Sequence, residues 1–199
     1  MTLRKTLFVA AVLAASLPAL AEEEHRELGP HEHGVGRLNI AIEDKRVSME
    51  LEVPGADIVG FEHEASTKEQ KAAVNKAKTT LAAALGVFKL PAEAKCKIAE
   101  AKVAVHAEDE HEHDHDAAGH QDEAAHDGKA EEEEHRHSEF RATYAIDCAA
   151  PEKLTGIDFK YFELFPGARK LDINVVTASG QSRYEVTRES PKLELGGIG

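Results

Sequence analysis

Residues 106–137 hold eight of the twelve histidines, together with thirteen acidic residues and only two basic ones. Imidazole nitrogens beside carboxylates are ligands for zinc, nickel and copper, and short histidine-rich tracts are typical of metal binding. A solvated acidic insert is the alternative, but this density of histidines favours a metal. Because the stretch has no apolar side chain larger than alanine, its composition also predicts a disordered insert. Its histidines are His106, His111, His113, His115, His120, His126, His135 and His137.

Two short motifs outside this stretch offer further ligands. His31 and His33 are two residues apart, so in an extended segment their side chains lie on one face. Our hypothesis is a structured site of these two histidines and His63, completed by water or by a carboxylate such as Glu62. The alternative is a set of ordinary surface histidines, with His63 hydrogen-bonded to cap the helix that follows. The residues alone leave the two interpretations even.

Catalysis has little support in the sequence. The zinc-protease spacing HExxH occurs once, at His111-Glu112-His113-Asp114-His115, but in a stretch whose composition predicts disorder rather than the helix on which that motif binds zinc. The P-loop, GxSxG and GxGxxG motifs are absent. The PCxxC signature of zinc deaminases is also missing. We therefore expect a protein that is not an enzyme.

The N-terminus has the form of an export signal. Arg4 and Lys5 precede an apolar run over residues 7–17 and an A-x-A site that ends at Ala21. This pattern predicts a signal peptide over residues 1–21, and the apolar run is too short to span a bilayer. We expect residues 22–199 to form a single metal-binding domain, exported to the periplasm and without a membrane span.

The acidity of the chain is local. The net charge of −13 includes +2 from residues 1–21, so residues 22–199 carry −13 − 2 = −15. Residues 106–137 supply −13 + 2 = −11 of this charge. Such a balance argues against nucleic acid as a partner, because nucleic-acid binders carry basic patches. It favours cations.

Two cysteines, Cys96 and Cys148, are the full complement. In an oxidising compartment the default for such a pair is a disulfide; metal ligation is the alternative, but CxxC spacing is absent. Residues 95–105 and 138–148 both alternate apolar with polar side chains, which predicts a hairpin with the histidine-rich stretch at its tip. Pairing the cysteines makes opposed positions sum to 244, which sets His106 opposite Ser138.

The remaining pattern predicts an α+β fold, a mainly antiparallel sheet with one or two helices. Ser66 and Glu69 have the spacing of a capping box for a helix over about residues 67–85. Residues 154–165 suit either a short helix or a strand at 157–161, and we favour the helix. Alternation predicts two further hairpins, at 37–43 with 47–53 and at 171–175 with 184–186, and a last edge strand at 193–195.

These motifs, in this order, resemble one known family. The residues that carry the resemblance are His31-Glu32-His33-Gly34, Pro54, Gly60-Phe61-Glu62-His63, Cys96, the histidine-rich stretch, Cys148, residues 162–166 and Gly180-Gln181. Together they resemble the ZrgA-like periplasmic proteins, a zinc-uptake-associated family once known only as a domain of unknown function. The resemblance covers nearly all of residues 22–199. It implies periplasmic zinc binding and support of a zinc importer of the ABC class.

We therefore expect a periplasmic protein that captures or buffers Zn²⁺ and passes it to a zinc ABC importer or to the binding protein of that importer. The choice of zinc follows from the resemblance, since the affinity order of divalent metals alone would favour copper. A nickel or copper store is one alternative. Another is an interaction module whose acidic loop docks a basic partner without metal.

Overall fold

The computed structural model of the protein describes residues 32–108 and 137–196. The predicted signal peptide, His31 and the histidine-rich residues 109–136 lie outside the described residues. Within the described ranges, no helix has the length and apolar character that crossing a membrane requires.

Nine strands and four short helices make up the described part of the chain. The strands are β1 Val35–Glu43, β2 Arg46–Pro54, β3 Phe88–Lys89, β4 Cys96–Glu108, β5 His137–Cys148, β6 Gly156–Phe159, β7 Lys170–Thr177, β8 Gly180–Thr187 and β9 Lys192–Glu194. The helices are α1 Gly55–Val59, α2 Lys68–Ala82, α3 Ala84–Val87 and α4 Tyr161–Leu164, with 3₁₀ turns at Ala92–Ala94 and Pro151–Lys153.

The strands form two sheets. A six-stranded sheet has the order β4-β5-β2-β1-β7-β8, and a three-stranded sheet has the order β3-β6-β9. Every neighbouring pair is antiparallel except β1 with β7, which is parallel. The predicted α+β fold with a mainly antiparallel sheet is confirmed, and the parallel pair is an addition that the sequence did not reveal.

The hairpin of β1 and β2 shows why the alternating pattern forms a half-buried sheet. A two-residue turn joins the strands, and Asp44 in it has the left-handed φ of 50°, a conformation that aspartate tolerates. Side chains on one face of the hairpin are buried, and those on the other face contact solvent. The buried set includes Leu38, Ile40, Ile42, Val47, Met49, Leu51 and Val53.

The hairpin of β4 and β5 is closed by the predicted disulfide between Cys96 and Cys148, with an S–S distance of 2.06 Å. The predicted register holds as far as Ile98, which pairs with Ile146. A bulge between Ile98 and Glu100 then shifts the pairing by one residue. The bulge has a packing reason, because the core-facing positions of β4 change there from even to odd numbers.

Two predictions at the tip of this hairpin are therefore wrong in detail. His106 pairs with Glu139, and Ser138 pairs with Ala107. The ladder also continues to the pair Glu108–His137, so His106 and His137 lie in strands rather than in the predicted disordered insert. Continued pairing satisfies backbone groups that an earlier end of the ladder would leave without partners.

Helix α2 packs on the sheet through Ala77 and Leu81, both buried. Its capping box joins Thr67 to Gln70, one residue later than the predicted pair of Ser66 and Glu69. The helix also ends at Ala82, three residues earlier than expected, because a separate helical turn, α3, follows. The predicted helix and, within one residue, its start are confirmed, while the predicted capping pair and the end at residue 85 were wrong.

Residues 154–165 contain a strand and then a helical turn, so a single short helix over this span was the wrong choice. Strand β6 lies between β3 and β9, and its Ile157 and Phe159 are buried. Phe159 meets Phe88 edge-to-face at 5.8 Å between ring centroids, and Phe88 meets Tyr144 of the large sheet at the same separation. The strand forms because distant partners are present to pair with it.

The disulfide should contribute strongly to stability. It closes a loop with a sequence separation of 52 residues, for which chain entropy gives about 4 kcal/mol. The double variant Cys96→Ser, Cys148→Ser should lower the free energy of unfolding by about 2–4 kcal/mol, measured by urea denaturation. Reducing the wild-type protein should reproduce that loss and leave the variant unaffected. Equal stability of the variant and of the wild-type protein with its disulfide intact would contradict this role.

Candidate metal site

One carboxylate, that of Glu62, contacts two histidines at the end of the sheet where the histidine-rich stretch departs. Glu62 Oε1 lies 3.4 Å from His33 Nδ1, and Glu62 Oε2 lies 2.5 Å from His137 Nδ1. The three residues come from the turn before β1, the segment between α1 and α2, and the first position of β5. We call them the Glu62 triad.

The backbone beside His33 is held by a buried aspartate. Both carboxylate oxygens of Asp57 accept from the Gly34 N–H, at 2.8 and 2.9 Å. The Gly34 carbonyl accepts from the N–H groups of Arg169 and Lys170, each at 2.9 Å. Gly34 has a φ of +88°, and a Cβ there would meet the Arg169 side chain at 2.9 Å, so glycine is required. His33 therefore lies in a turn rather than in the extended segment that the sequence suggested.

Asp57 is a buried ionisable group, and burial disfavours its charged form. Its side chain lies in the interior, since the residue is only 4% exposed. Burial raises the pKa of Asp57 above its ordinary value of 3.8, against the opposing effects of the Gly34 N–H and of His33. The Gly34 contact explains why a carboxylate can occupy this position.

His63 has other partners than the Glu62 triad. Its Nδ1 lies 3.0 Å from the Glu64 carbonyl oxygen, and its Nε2 lies 3.3 Å from Nε2 of Gln70, in the first turn of α2. Its ring stacks on that of Phe61, with centroids 5.0 Å apart. These contacts are those of the alternative considered above, a histidine that supports the start of the following helix.

The structure describes only some of the predicted ligands. His31, His111, His113, His115, His120, His126 and His135 lie outside the described residues. His106 is exposed on β4 across from Glu139, whose carboxylate accepts from Arg141 Nε at 2.7 Å. Within residues 32–108 and 137–196, no group of three or more histidines, cysteines or carboxylates has the arrangement of a complete metal site. The individual ligands stay a prediction.

In the Glu62 triad, Glu62 is hydrogen-bonded to His137 and lies within ion-pair distance of His33, an arrangement that could prepare two ligands. A histidine that binds a metal commonly donates its other ring N–H to a carboxylate, which fixes the tautomer and the ring orientation. Here Glu62 contacts Nδ1 of both rings, so the contact does not involve Nε2, the other nitrogen that can bind a metal. The side chains of His33 and His137 are 67% and 44% exposed, against 16% for Glu62. Two neutral imidazoles beside a carboxylate suit zinc.

Sequence reasoning missed the role of Asp57 and the meeting of His33 with His137. The only signal for Asp57 was an acidic residue near the start of a short helix, where carboxylates are common. No spacing rule joins His33 to His137, because more than 100 positions separate them. Their contact with a common carboxylate emerges only from the folded sheet.

A family model described as "ZrgA family zinc uptake protein" matches residues 30–195. The chain belongs to the ZrgA family. The matched residues include strands β4 and β5, the disulfide, the Glu62 triad and the histidine-rich stretch. A comparison with curated proteins finds no match.

Membership of the ZrgA family confirms the resemblance drawn from the motifs and connects the chain with zinc uptake. A zinc-uptake family and an intact disulfide are both compatible with a protein that works outside the cytoplasm.

The buried carboxylate gives a prediction for stability against pH. Because the pKa of Asp57 is raised in the folded state, its favourable contribution is complete below the unfolded value and is lost as pH rises through the folded pKa. The free energy of unfolding of wild type minus that of Asp57→Asn should therefore fall as pH rises from below the ordinary aspartate value of 3.8 through the raised folded pKa. Urea denaturation at each pH measures the difference.

The matched control for this measurement is Asp147→Asn, which replaces an exposed carboxylate, one that accepts from Arg46 at 2.8 Å. Its difference from wild type reports the loss of one surface charge. A difference for Asp57→Asn that rose with pH would contradict the assigned effect of burial.

Proposed function

We propose that this ZrgA-family chain is a periplasmic protein that captures or buffers Zn²⁺ and supports its delivery to an ABC-class zinc importer or to the binding protein of that importer. The observation that carries the proposal is the Glu62 triad at the base of the histidine-rich stretch. Its support is threefold: the family is one of zinc uptake, the donor atoms suit zinc, and residues 1–21 have the pattern of an export signal.

In this proposal the histidine-rich stretch gathers zinc and the Glu62 triad holds it for transfer. The excess of carboxylates raises the local concentration of cations, and the many histidines offer several overlapping sites of modest affinity. His137 is the last histidine of the stretch in the sequence and also the first residue of β5. An ion bound by the stretch can therefore move to the folded domain by exchanging one ligand at a time.

The role is one of binding and transfer rather than catalysis, since the one HExxH spacing in the sequence, at His111–His115, lies in a stretch whose composition does not predict the helix that this catalytic motif needs. A nickel or copper store would be told apart by competition among the metals, and an interaction module by partner binding that survives a chelator.

The first test separates the folded domain from the stretch. Zinc titration by calorimetry should show more than one ion on residues 22–199. About one should remain when a short Gly/Ser linker replaces residues 109–136. In that linker variant, His33→Ala with His137→Ala should remove the remaining ion, because two nitrogen ligands are lost. His106→Ala is the matched control, since His106 is an exposed histidine on the same hairpin, and it should keep the ion.

Two outcomes would count against this division. If the linker variant bound no zinc, the stretch alone would be the receptor. If the ion remained after both alanine substitutions, the folded site would lie elsewhere.

Zinc affinity should also decrease on acidification. Histidine must be neutral to bind a metal, so protons compete with zinc. Between about pH 7.5 and about pH 5, affinity should fall by at least about ten-fold, measured by competition with a chelator of known pH dependence. Affinity that stayed constant over this range would exclude histidine as the main ligand.

A further inference from the structure

We propose that His63 positions the Glu62 carboxylate through its contact with Gln70, and that His63 is not itself a zinc ligand. The inference rests on the proposed function and deepens it, because it divides the histidines near the site into those that bind the ion and one that organises them.

Glu62 lies in a segment that has no regular structure of its own. Helix α1 ends at Val59 and is capped by Gly60, which has a φ of 85°, and α2 begins at Lys68. The carboxylate in between must nevertheless be placed between two histidines from distant parts of the chain. Some other contact has to fix the segment.

Gln70 supplies that contact from the first turn of α2. Its Oε1 accepts from the N–H groups of Ser66 and Thr67, at 3.0 and 3.1 Å. The side-chain amide is therefore oriented by the helix start, and its Nε2, which can only donate, lies 3.3 Å from His63 Nε2. His63 Nε2 must accept, so the proton of the neutral ring is on Nδ1, which then donates to the Glu64 carbonyl oxygen.

Both ring nitrogens of His63 are consequently engaged. The lone pair that zinc would need at Nε2 accepts from Gln70, and Nδ1 carries the proton. The ring thus accepts a hydrogen bond at Nε2 and donates one at Nδ1. Binding zinc through His63 would break at least one of them.

The ring of His63 also determines which way Glu62 faces. His63 stacks on Phe61, so the two side chains that flank Glu62 share one side of the segment. In an extended chain the residue between them points to the opposite side. That is where His33 and His137 contact the carboxylate.

Gln70 is the decisive residue for a test, because the two roles of His63 predict opposite effects of removing it. If His63 positions Glu62, Gln70→Ala should weaken zinc binding. If His63 is a ligand, Gln70→Ala frees its Nε2 and should leave affinity unchanged or increase it.

The experiment uses residues 22–199 with the histidine-rich stretch intact and measures the tightest zinc site by chelator competition. His63→Ala and Gln70→Ala should each weaken it by about ten-fold, the lower end of the loss when a partner that orients a ligand is removed. The double variant should be no weaker than either single variant, because both remove one contact. Additive losses, or full affinity in Gln70→Ala, would overturn the proposal.

Thr67→Ala is the matched control. It removes the other half of the capping box, the Thr67 Oγ1 that accepts from the Gln70 N–H at 3.1 Å, and leaves both His63 and the Gln70 amide in place. It should change zinc affinity by less than about two-fold, which separates loss of the His63–Gln70 contact from fraying of α2.

A second readout does not depend on zinc. In the zinc-free protein, imidazole ¹⁵N resonances of His33 and His137 should change in Gln70→Ala and His63→Ala, because Glu62 leaves their Nδ1 atoms, and should stay unchanged in Thr67→Ala. In the wild-type protein, added zinc should shift the imidazole resonances of His33 and His137 but not those of His63. Unchanged zinc-free resonances, or a zinc shift at His63, would overturn the positioning role. Changed zinc-free resonances without any zinc shift would instead contradict the proposed function.

Discussion

The Cys96–Cys148 bond and the ladder that starts from it determine where the histidine-rich stretch leaves the fold. Closing a hairpin around a long insert costs conformational entropy, and the disulfide offsets it by restricting the unfolded chain. From that bond β4 and β5 remain paired to Glu108 and His137. The last pair brings His137 within 2.5 Å of Glu62. The same ladder therefore stabilises the hairpin and delivers a histidine to the candidate site.

The two carboxylates near this site have different tasks. Asp57 is buried and holds the Gly34 N–H, which fixes the turn that carries His33. Glu62 is partly exposed and contacts the histidine rings themselves. Both place negative charge beside imidazoles, which favours a bound cation over an empty pair of neutral rings. A folded domain of small net charge can in this way attract a metal locally, without the large acidic excess of the stretch.

The sequence revealed the parts of this fold that depend on local pattern. Alternation identified both strands of the disulfide-linked hairpin, but the register predicted from the cysteine pair did not include the shift between Ile98 and Glu100. The helix start was harder, because Ser66 with Glu69 and Thr67 with Gln70 both fit the capping-box pattern. Contacts without a local signal could not be predicted, such as the parallel pairing of β1 with β7 or the approach of His33 and His137 to one carboxylate.

Exposure of the candidate ligands agrees with transfer better than with permanent storage. Structural zinc sites are usually closed by four protein ligands, whereas a site with an open position can exchange what it binds. The rings of His33 and His137 are 67% and 44% exposed, so an incoming ligand can reach an ion held between them. A carboxylate that contacts the rings at Nδ1 can orient them without occupying a coordination position. In the proposed function, two oriented, accessible imidazoles would collect zinc and leave room for an acceptor with more ligands to remove it.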